Sequence, residues 1–276
     1  MKIGIVGLGL IGSSIARAVV SREEISGVVA IDSNRSSIEA AKSEKVIDEG
    51  GVDLSLLRDS DLVILALPVK TALKVAPKVV KYLKDSSILT DTGSTKVSIV
   101  KLIQPLWPRY VGSHPIAGKE RSGYISGESS ILDGAICVIT PTSSTDRSCI
   151  EVVRRFWGLC GANTVLMSPG SHDAVMAVTS HIPHLLSFGY MHIIERAGIP
   201  RTLIGKGLKD FTRIAASDPD VWKDIFFDNK DNIIPLINEY IKELERLRSY
   251  INVGKVDAVK ELLRQYSSVR RSLDED

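Results

Sequence analysis

Lys2-Ile3-Gly4-Ile5-Val6-Gly7-Leu8-Gly9-Leu10-Ile11-Gly12 is the stretch on which the reading of this chain turns. A short apolar run is followed by Gly7, Gly9 and Gly12 in the spacing G-x-G-x-x-G, and then by Ser13-Ser14-Ile15-Ala16-Arg17-Ala18, which continues as a helix. A buried parallel strand, a tight turn and a helix start read this way. Each glycine has a separate physical task. Gly7 makes the turn, Gly9 leaves backbone open to a pyrophosphate, and Gly12 lets the helix pack closely on the strand. The free N–H groups of that helix start, carried by Leu10, Ile11 and Gly12, then face the phosphates with the positive end of the helix dipole behind them.

Working outward, a second apolar run, Gly27-Val28-Val29-Ala30-Ile31, ends in Asp32. An acidic side chain about 20 residues beyond the glycine turn is placed to accept hydrogen bonds from an adenosine ribose. The competing reading is an ordinary glycine-rich turn, with Asp32 capping the next helix. A carboxylate here repels a 2′-phosphate, which favours NAD; Arg35 close by keeps NADP possible.

Alternation of strand and helix patterns continues through the first half. Strands are expected at 61–67 (stopped by Pro68), 87–90, 109–112, 135–140 and 164–167. Helices are expected at 36–45, 71–83 with an irregularity at Pro77, 96–103 and 144–159. This predicts an α/β fold, a Rossmann-type doubly wound and mainly parallel sheet over residues 1–168. From Pro169 the strand signals stop. Helical patterns at 171–180, 185–197, 222–227, 233–250 and 256–273 predict an all-α domain over 169–276. Ile233, Ile234, Leu236, Ile237, Tyr240, Ile241, Leu244 and Leu247 form a broad apolar stripe at helical spacing, more than the second half can bury alone. A partner subunit, hence a homodimer, is expected.

Composition narrows the function. The 276 residues are 44% hydrophobic, with a formal net charge of +2 and basic residues spread along the chain. That makes no case for nucleic acid or an anionic membrane surface as partner. Cys137, Cys149 and Cys160 form no C-x-x-C pair, as in a reducing compartment. No apolar run reaches membrane-spanning length, and a signal-like N-terminus would lose the glycine turn on cleavage, so a cytoplasmic location is expected. Ligands of open α/β sheets sit at the carboxyl ends of strands. Weight therefore falls on Pro68, on Asp91-Thr92-Gly93-Ser94 and on Ser113-His114-Pro115.

Three further segments then carry a resemblance. Gly112-Ser113-His114-Pro115-Ile116-Ala117-Gly118, Ser180-His181-Ile182-Pro183-His184 and Lys209-Asp210-Phe211-Thr212-Arg213-Ile214-Ala215 resemble, in this order, the prephenate/arogenate dehydrogenases. The resemblance covers essentially the whole chain. It implies a nucleotide-binding domain followed by an all-helical dimerisation domain. It also implies oxidative decarboxylation of prephenate, or of its amino counterpart arogenate, on the route to tyrosine. In that reaction hydride leaves C4 of a cyclohexadiene, the C4 hydroxyl gives up its proton, and CO₂ departs as the ring becomes aromatic. The protein must supply a proton acceptor, a cation for carboxylate, and orientation.

By resemblance, His114 is the proton acceptor and must be neutral to act, so activity rises with pH as it deprotonates. Its plainer alternative is a loop histidine bonded to backbone. Ser94 is implied to touch the C4 hydroxyl or the nicotinamide, and can also cap a helix beginning at Thr95. Arg213 is implied to hold the substrate carboxylate, which suits a planar, permanently charged guanidinium; a salt bridge is the alternative. His184 is implied to lie near the substrate side chain. His181 and His184, three apart, would share a helix face, but no third ligand stands at a zinc spacing. Pro183 suggests that a helix starts there. Asp173 is expected to orient His184 or Arg213, or to serve as a first-turn helix acid. Glu120 stands where some relatives have a gating acid. Lys119 replaces an expected threonine, and Trp222 packs under the arginine loop or in the core. Two rival functions remain: a β-hydroxy acid dehydrogenase, disfavoured because 170–184 offers histidines and no lysine, and a catalytically silent nucleotide-binding sensor.

Overall fold

β1 (Lys2–Val6) is buried on both faces, with Ile3 and Ile5 fully enclosed, as a central parallel strand requires. The computed structural model describes residues 1–119 and 121–273. After β1 come α1 (Leu10–Val19), β2 (Gly27–Ile31), α2 (Arg35–Ser43), β3 (Glu49–Gly51), β4 (Leu62–Leu65), α3 (Val69–Val79), β5 (Ile88–Asp91), α4 (Val97–Ile103) and β6 (Tyr110–Pro115). β7 (Ile136–Thr140), α5 (Arg147–Leu159) and β8 (Asn163–Leu166) complete the sheet. The strand order is β3-β2-β1-β4-β5-β6-β7-β8. Its first six strands follow the doubly wound dinucleotide-binding order, with the chain reversing direction across the sheet between β1 and β4. Period-2 alternation divides the strands between two layers. Leu62 and Ile64 face the α1 and α5 side with Ile15 and Trp157, while Val63 and Leu65 face α3 and α4 with Ala76 and Ile99.

The expected α/β sheet is therefore present, with departures that have local causes. β3 lies outside the expected strands: Glu49-Gly50-Gly51 carries no apolar signal, and it pairs only at the sheet edge beside β2. β7 runs antiparallel to β6, with His114 opposite Val138. The intervening described residues hold only the short turns Tyr124–Ser126 and Ser129–Ile131 and no crossover helix, the usual link between parallel strands. β6 also runs on through Pro115, so His114 belongs to the strand itself rather than to the loop after it. Pro77 is accommodated inside α3, which tightens into a 3-10 turn at Val80–Tyr82.

Helices follow. α6 (Pro169–Met176) leads through a π-helical turn, Ala177–His181, straight into α7 (Ile182–Ala197). α7 thus starts with Pro183 in its first turn, as expected, although the π turn joins it to α6 without a break. The wider π ladder accommodates a residue that cannot donate an N–H. α8 (Lys206–Thr212) falls where no helix is expected; it is followed by a 3-10 turn at Arg213–Ala216 and by α9 (Pro219–Asp228). α10 (Lys230–Asn252) and α11 (Val256–Ser272) end the described chain. Cα proximity divides the protein into two compact units, Met1–Lys230 and Asp231–Asp276. Within the second unit the Tyr266 hydroxyl of α11 donates to Glu243 of α10. Ile234, Ile241, Leu244, Ile251, Val256 and Leu263 are all exposed in the single chain. No described helix is long and apolar enough to cross a membrane.

Candidate active site

The glycine turn is built as its spacing predicts. Gly7 sits at φ +101°, donates its N–H to the Ile31 carbonyl at 2.8 Å, and has no room for a Cβ, which would stand 2.3 Å from the Ala66 carbonyl oxygen. A Cβ on Gly12 would meet the Gly7 carbonyl oxygen at 1.8 Å. Gly9 is different: nothing lies within 4 Å of its missing Cβ. It starts α1 with no side-chain cap, so the amides of Leu10, Ile11 and Gly12 have no intrahelical partner and are suited to an anion. Gly7 and Gly12 shape the turn, while Gly9, Leu10 and Ile11 line the cleft.

Asp32 at the end of β2 accepts from the Leu8 amide at 2.6 Å and the Asn34 amide at 2.7 Å. It therefore braces the glycine turn while keeping free lone pairs for a ribose hydroxyl. It does not cap α2; Asn34 does, accepting from the Ser36 amide at 3.0 Å.

The cleft has a volume of about 580 Å³, within the usual range for small-molecule sites. It opens at the carboxyl ends of β1, β4, β5 and β6, where Pro68, Thr92, Gly93, Ser94 and His114 stand. The helical side contributes Ser180, His184, Arg213, Asp218 and Trp222. Of the residues expected at the site, Gly9, Leu10, Ile11, Pro68, Ser94, His114, His184 and Arg213 share this one cleft. Asp32, Gly7, Gly12 and Asp173 do not line it, and Glu120 lies outside the described residues.

Under the cleft floor is a buried polar assembly that lies beyond the sequence expectations. Asp91, at the end of β5, accepts from the Tyr110 hydroxyl at 2.7 Å and from the amides of Gly93 and Ser113 at 2.8 and 3.2 Å. Its second oxygen pairs with Lys96, a lysine fully removed from solvent, which also donates to the Ser113 carbonyl at 2.8 Å. Ser113 in turn donates to the Asp91 carbonyl at 2.6 Å and receives the Trp157 indole N–H at 3.0 Å. With every partner hydrogen-bonded, the desolvation of both charges is offset, and the ends of β5 and β6 are locked together beside His114. The one signal in the sequence is a lysine shortly after a strand-end aspartate, though such a pair usually sits in solvent.

His114 is half-buried and lines the cleft, and its Nδ1 lies 2.9 Å from Nε2 of His172. Burial holds its pKa well below the usual 6.5, and His172, Lys96 and His181 push the same way. It is therefore neutral at pH 7. It bonds another side chain, not backbone through its ring, which removes the plain loop-histidine alternative. His184 donates its Nδ1–H to the Ser180 carbonyl at 2.9 Å, leaving Nε2 as its acceptor, and lies flat on Trp222 with ring centroids 3.5 Å apart. Burial lowers its pKa too, with the nearby Arg213 guanidinium contributing. Trp222 thus packs on His184 at the cleft rather than in the core. His181 accepts from the Asn229 side chain at 3.0 Å, and burial brings its pKa to about 4.

Two expectations are corrected here. Ser94 does not cap α4. The first amides of that helix, Lys96 and Val97, donate at 2.7 and 2.9 Å to the carboxylate of Asp173, reaching across from α6. The same carboxylate receives His172 Nδ1 at 2.7 Å, so Asp173 orients His172 and not His184 or Arg213. Asp173 is buried and does not line the cleft, and both its oxygens are committed to these donors.

A dinucleotide turn, a neutral histidine on a strand end and a cation in one cleft define a nucleotide-dependent dehydrogenase with a separate helical region. Comparison with known proteins takes this one step further. Residues 15–166 match the nucleotide-binding domain of prephenate dehydrogenase, and residues 168–265 its dimerization domain. Cyclohexadienyl dehydrogenase of Zymomonas mobilis is 33% identical, over 99% of this chain and 96% of its own. Prephenate dehydrogenase of Bacillus subtilis is 32% identical over 89% of this chain and 68% of its own. Among solved structures, prephenate dehydrogenase from A. aeolicus, in complex with hydroxyphenyl propionate and NAD+, superposes with a TM-score of 0.92 at 33% identity, covering 99% of this chain and 98% of that one. Synechocystis arogenate dehydrogenase follows at 0.83 and 28%, covering 99% of each. The chain belongs to the prephenate dehydrogenase family. It is an NAD-dependent oxidoreductase acting in the prephenate, arogenate or cyclohexadienyl class.

Proposed function

We propose that this protein is a prephenate dehydrogenase, converting prephenate to 4-hydroxyphenylpyruvate and CO₂ in tyrosine biosynthesis. The observation that carries the reading is His114, held neutral by burial at the end of β6, in one cleft with the open Gly9 turn and Arg213. Residues 1–168 would carry the nucleotide, with the amides of Leu10, Ile11 and Gly12 on the pyrophosphate, Asp32 on the ribose and Pro68 as a wall. Residues 169–276 would complete the substrate site and form a homodimer through the exposed apolar faces of α10 and α11.

In this reading His114 takes the C4 hydroxyl proton on Nε2. Ser94 positions that hydroxyl, Arg213 holds the carboxylate by two parallel bonds, and His184 lies beside the substrate side chain. NAD+, when bound, accepts the hydride that leaves C4. Glu120 is carried as a gating acid from the family resemblance alone. Arogenate is the second reading, supported by the likeness to the Synechocystis enzyme.

Absorbance at 340 nm with NAD or NADP and either substrate tests this directly. NADH formation with prephenate at a kcat/KM well above that for arogenate is expected. The reverse preference would replace the proposed substrate, and cofactor binding without turnover on either would point to the sensor reading. His114→Asn should bind NAD as the parent does and lose about 10²–10⁴-fold in kcat. Full activity in that variant would remove His114 from the chemistry.

A further inference from the structure

His172 and Asp173 do not line the cleft, yet they form a continuous chain of hydrogen bonds to His114, which does. The direction of that chain follows from what each group can do. The carboxylate of Asp173 receives two backbone amides, Lys96 and Val97, which can only donate. It serves as acceptor, so the bond at 2.7 Å to His172 Nδ1 must carry its hydrogen on the imidazole. A neutral imidazole with Nδ1–H has its lone pair on Nε2. His172 Nε2, 2.9 Å from His114 Nδ1, therefore accepts, and His114 Nδ1 donates. That leaves Nε2 as the one basic nitrogen His114 can offer a ligand.

We propose that Asp173, acting through His172, is the positioning residue that holds His114 in the Nδ1–H tautomer and so presents Nε2 as the base. This rests on the reading of His114 as proton acceptor. The chain is rigid at both ends. The Asp173 backbone carbonyl receives Asn229 at 2.8 Å, and His114 follows Ser113, which the Asp91–Lys96 assembly locks. When His114 Nε2 gains the hydroxyl proton, the new charge is spread along the chain toward Asp173, and His172 and Asp173 keep their own proton counts. Asp91 balances Lys96 on the strand side; Cys137 on β7, His181 in the π turn, and His184 and Arg213 at the cleft are further titratable or charged groups around His114 among the described residues.

Asp173→Asn tests the direction of the chain. The Lys96 amide and His172 Nδ1 share Oδ1 of Asp173, while the Val97 amide holds Oδ2. With the NH₂ at the Oδ1 position facing His172 Nδ1, the amide oxygen keeps Val97 and the Lys96 amide gives up its acceptor. Every bond then reverses, and His114 carries its hydrogen on Nε2. The expected result is a kcat loss on the order of 10²–10⁴-fold with KM within about threefold, as for a base held in the wrong tautomer. Because Asp173 also caps α4, a second pair of variants leaves the cap intact. His172→Phe cannot accept from Nδ1–H and should lose about 10²-fold or more, while His172→Gln, whose carbonyl can accept, should stay within about tenfold of the parent. ¹⁵N NMR of histidine-labelled parent protein, assigned by loss of the signal in His114→Asn, should show Nδ1 protonated and Nε2 bare at pH 7.5. An Nε2–H signal, or unchanged kcat in both Asp173→Asn and His172→Phe, overturns the proposal. If those variants keep the parent's kcat while His114→Asn is dead, the base assignment stands without the relay. If His114→Asn is itself active, the base assignment falls first.

Discussion

At the scale of single residues, the cleft is governed by which side chains are neutral and which are charged. Burial lowers the His114 pKa below 6.5, so the base of the proposed function is already in its neutral form at neutral pH. The acid limb of kcat/KM should accordingly fall below pH 6.5, with a plateau above it; a limb centred above pH 7 in a pH–rate profile would contradict the burial argument. In the proposed function Arg213 binds rather than reacts, so Arg213→Ala should raise KM about 10–100-fold, as expected for loss of a charge-assisted pair, with a smaller change in kcat. Steady-state kinetics with an unchanged KM would exclude it from the substrate. Ser94 and His114 are legible in the sequence by their place after strands, while their roles, and His184 and Arg213 altogether, are legible only through the segments that resemble the family. Asp173 is legible as a site residue but not in its partner. One carboxylate can reach several neighbours, and only packing decides that it takes His172 and two amides of α4.

At the scale of elements, the glycine turn separates shape from binding within six residues. Gly12→Ala drives a Cβ into the Gly7 carbonyl and has no flexible side chain to displace, so a lowered Tm is expected, with a stability loss of roughly 2–4 kcal/mol. Gly9→Ala meets open space and should melt like the parent while weakening NAD, read by thermal shift against nucleotide titration. Equal melting of the two variants would refute the division of labour. Strands are readable because buried parallel strands are continuous apolar runs, as in β4, Leu62-Val63-Ile64-Leu65. β3 is not, because Glu49-Gly50-Gly51 is held by its neighbour and not by its own side chains. The π turn at Ala177–His181 is also hidden, since it is the path of a long helix past Pro183 that demands it.

For the whole molecule, the buried histidines set the response to acid. His181 has a folded-state pKa of about 4 against 6.5 when unfolded, and His114, His172 and His184 shift the same way. Below pH 6.5 the unfolded chain takes up protons the native one refuses. Stability from these groups is therefore complete above 6.5 and drains away as pH falls toward 4, by on the order of 3 kcal/mol for His181 alone. Denaturant midpoints at pH 7.5 and pH 5 should show the drop, and equal midpoints would rule it out. The exposed apolar residues of α10 and α11 predict a dimer by light scattering at micromolar concentration.

By itself the sequence determined the doubly wound sheet, the dinucleotide turn and the histidines and arginine of the cleft. The sheet and the turn follow from local rules, apolar runs and glycine spacing; His114 stands at a strand end, and His184 and Arg213 come from the segments that carry the family resemblance. Tertiary structure alone decided the antiparallel return of β7, the buried Asp91–Lys96 pair and the Asp173–His172–His114 chain. Each depends on groups far apart in sequence meeting where water is excluded, and no local pattern says which polar partners a buried charge will find.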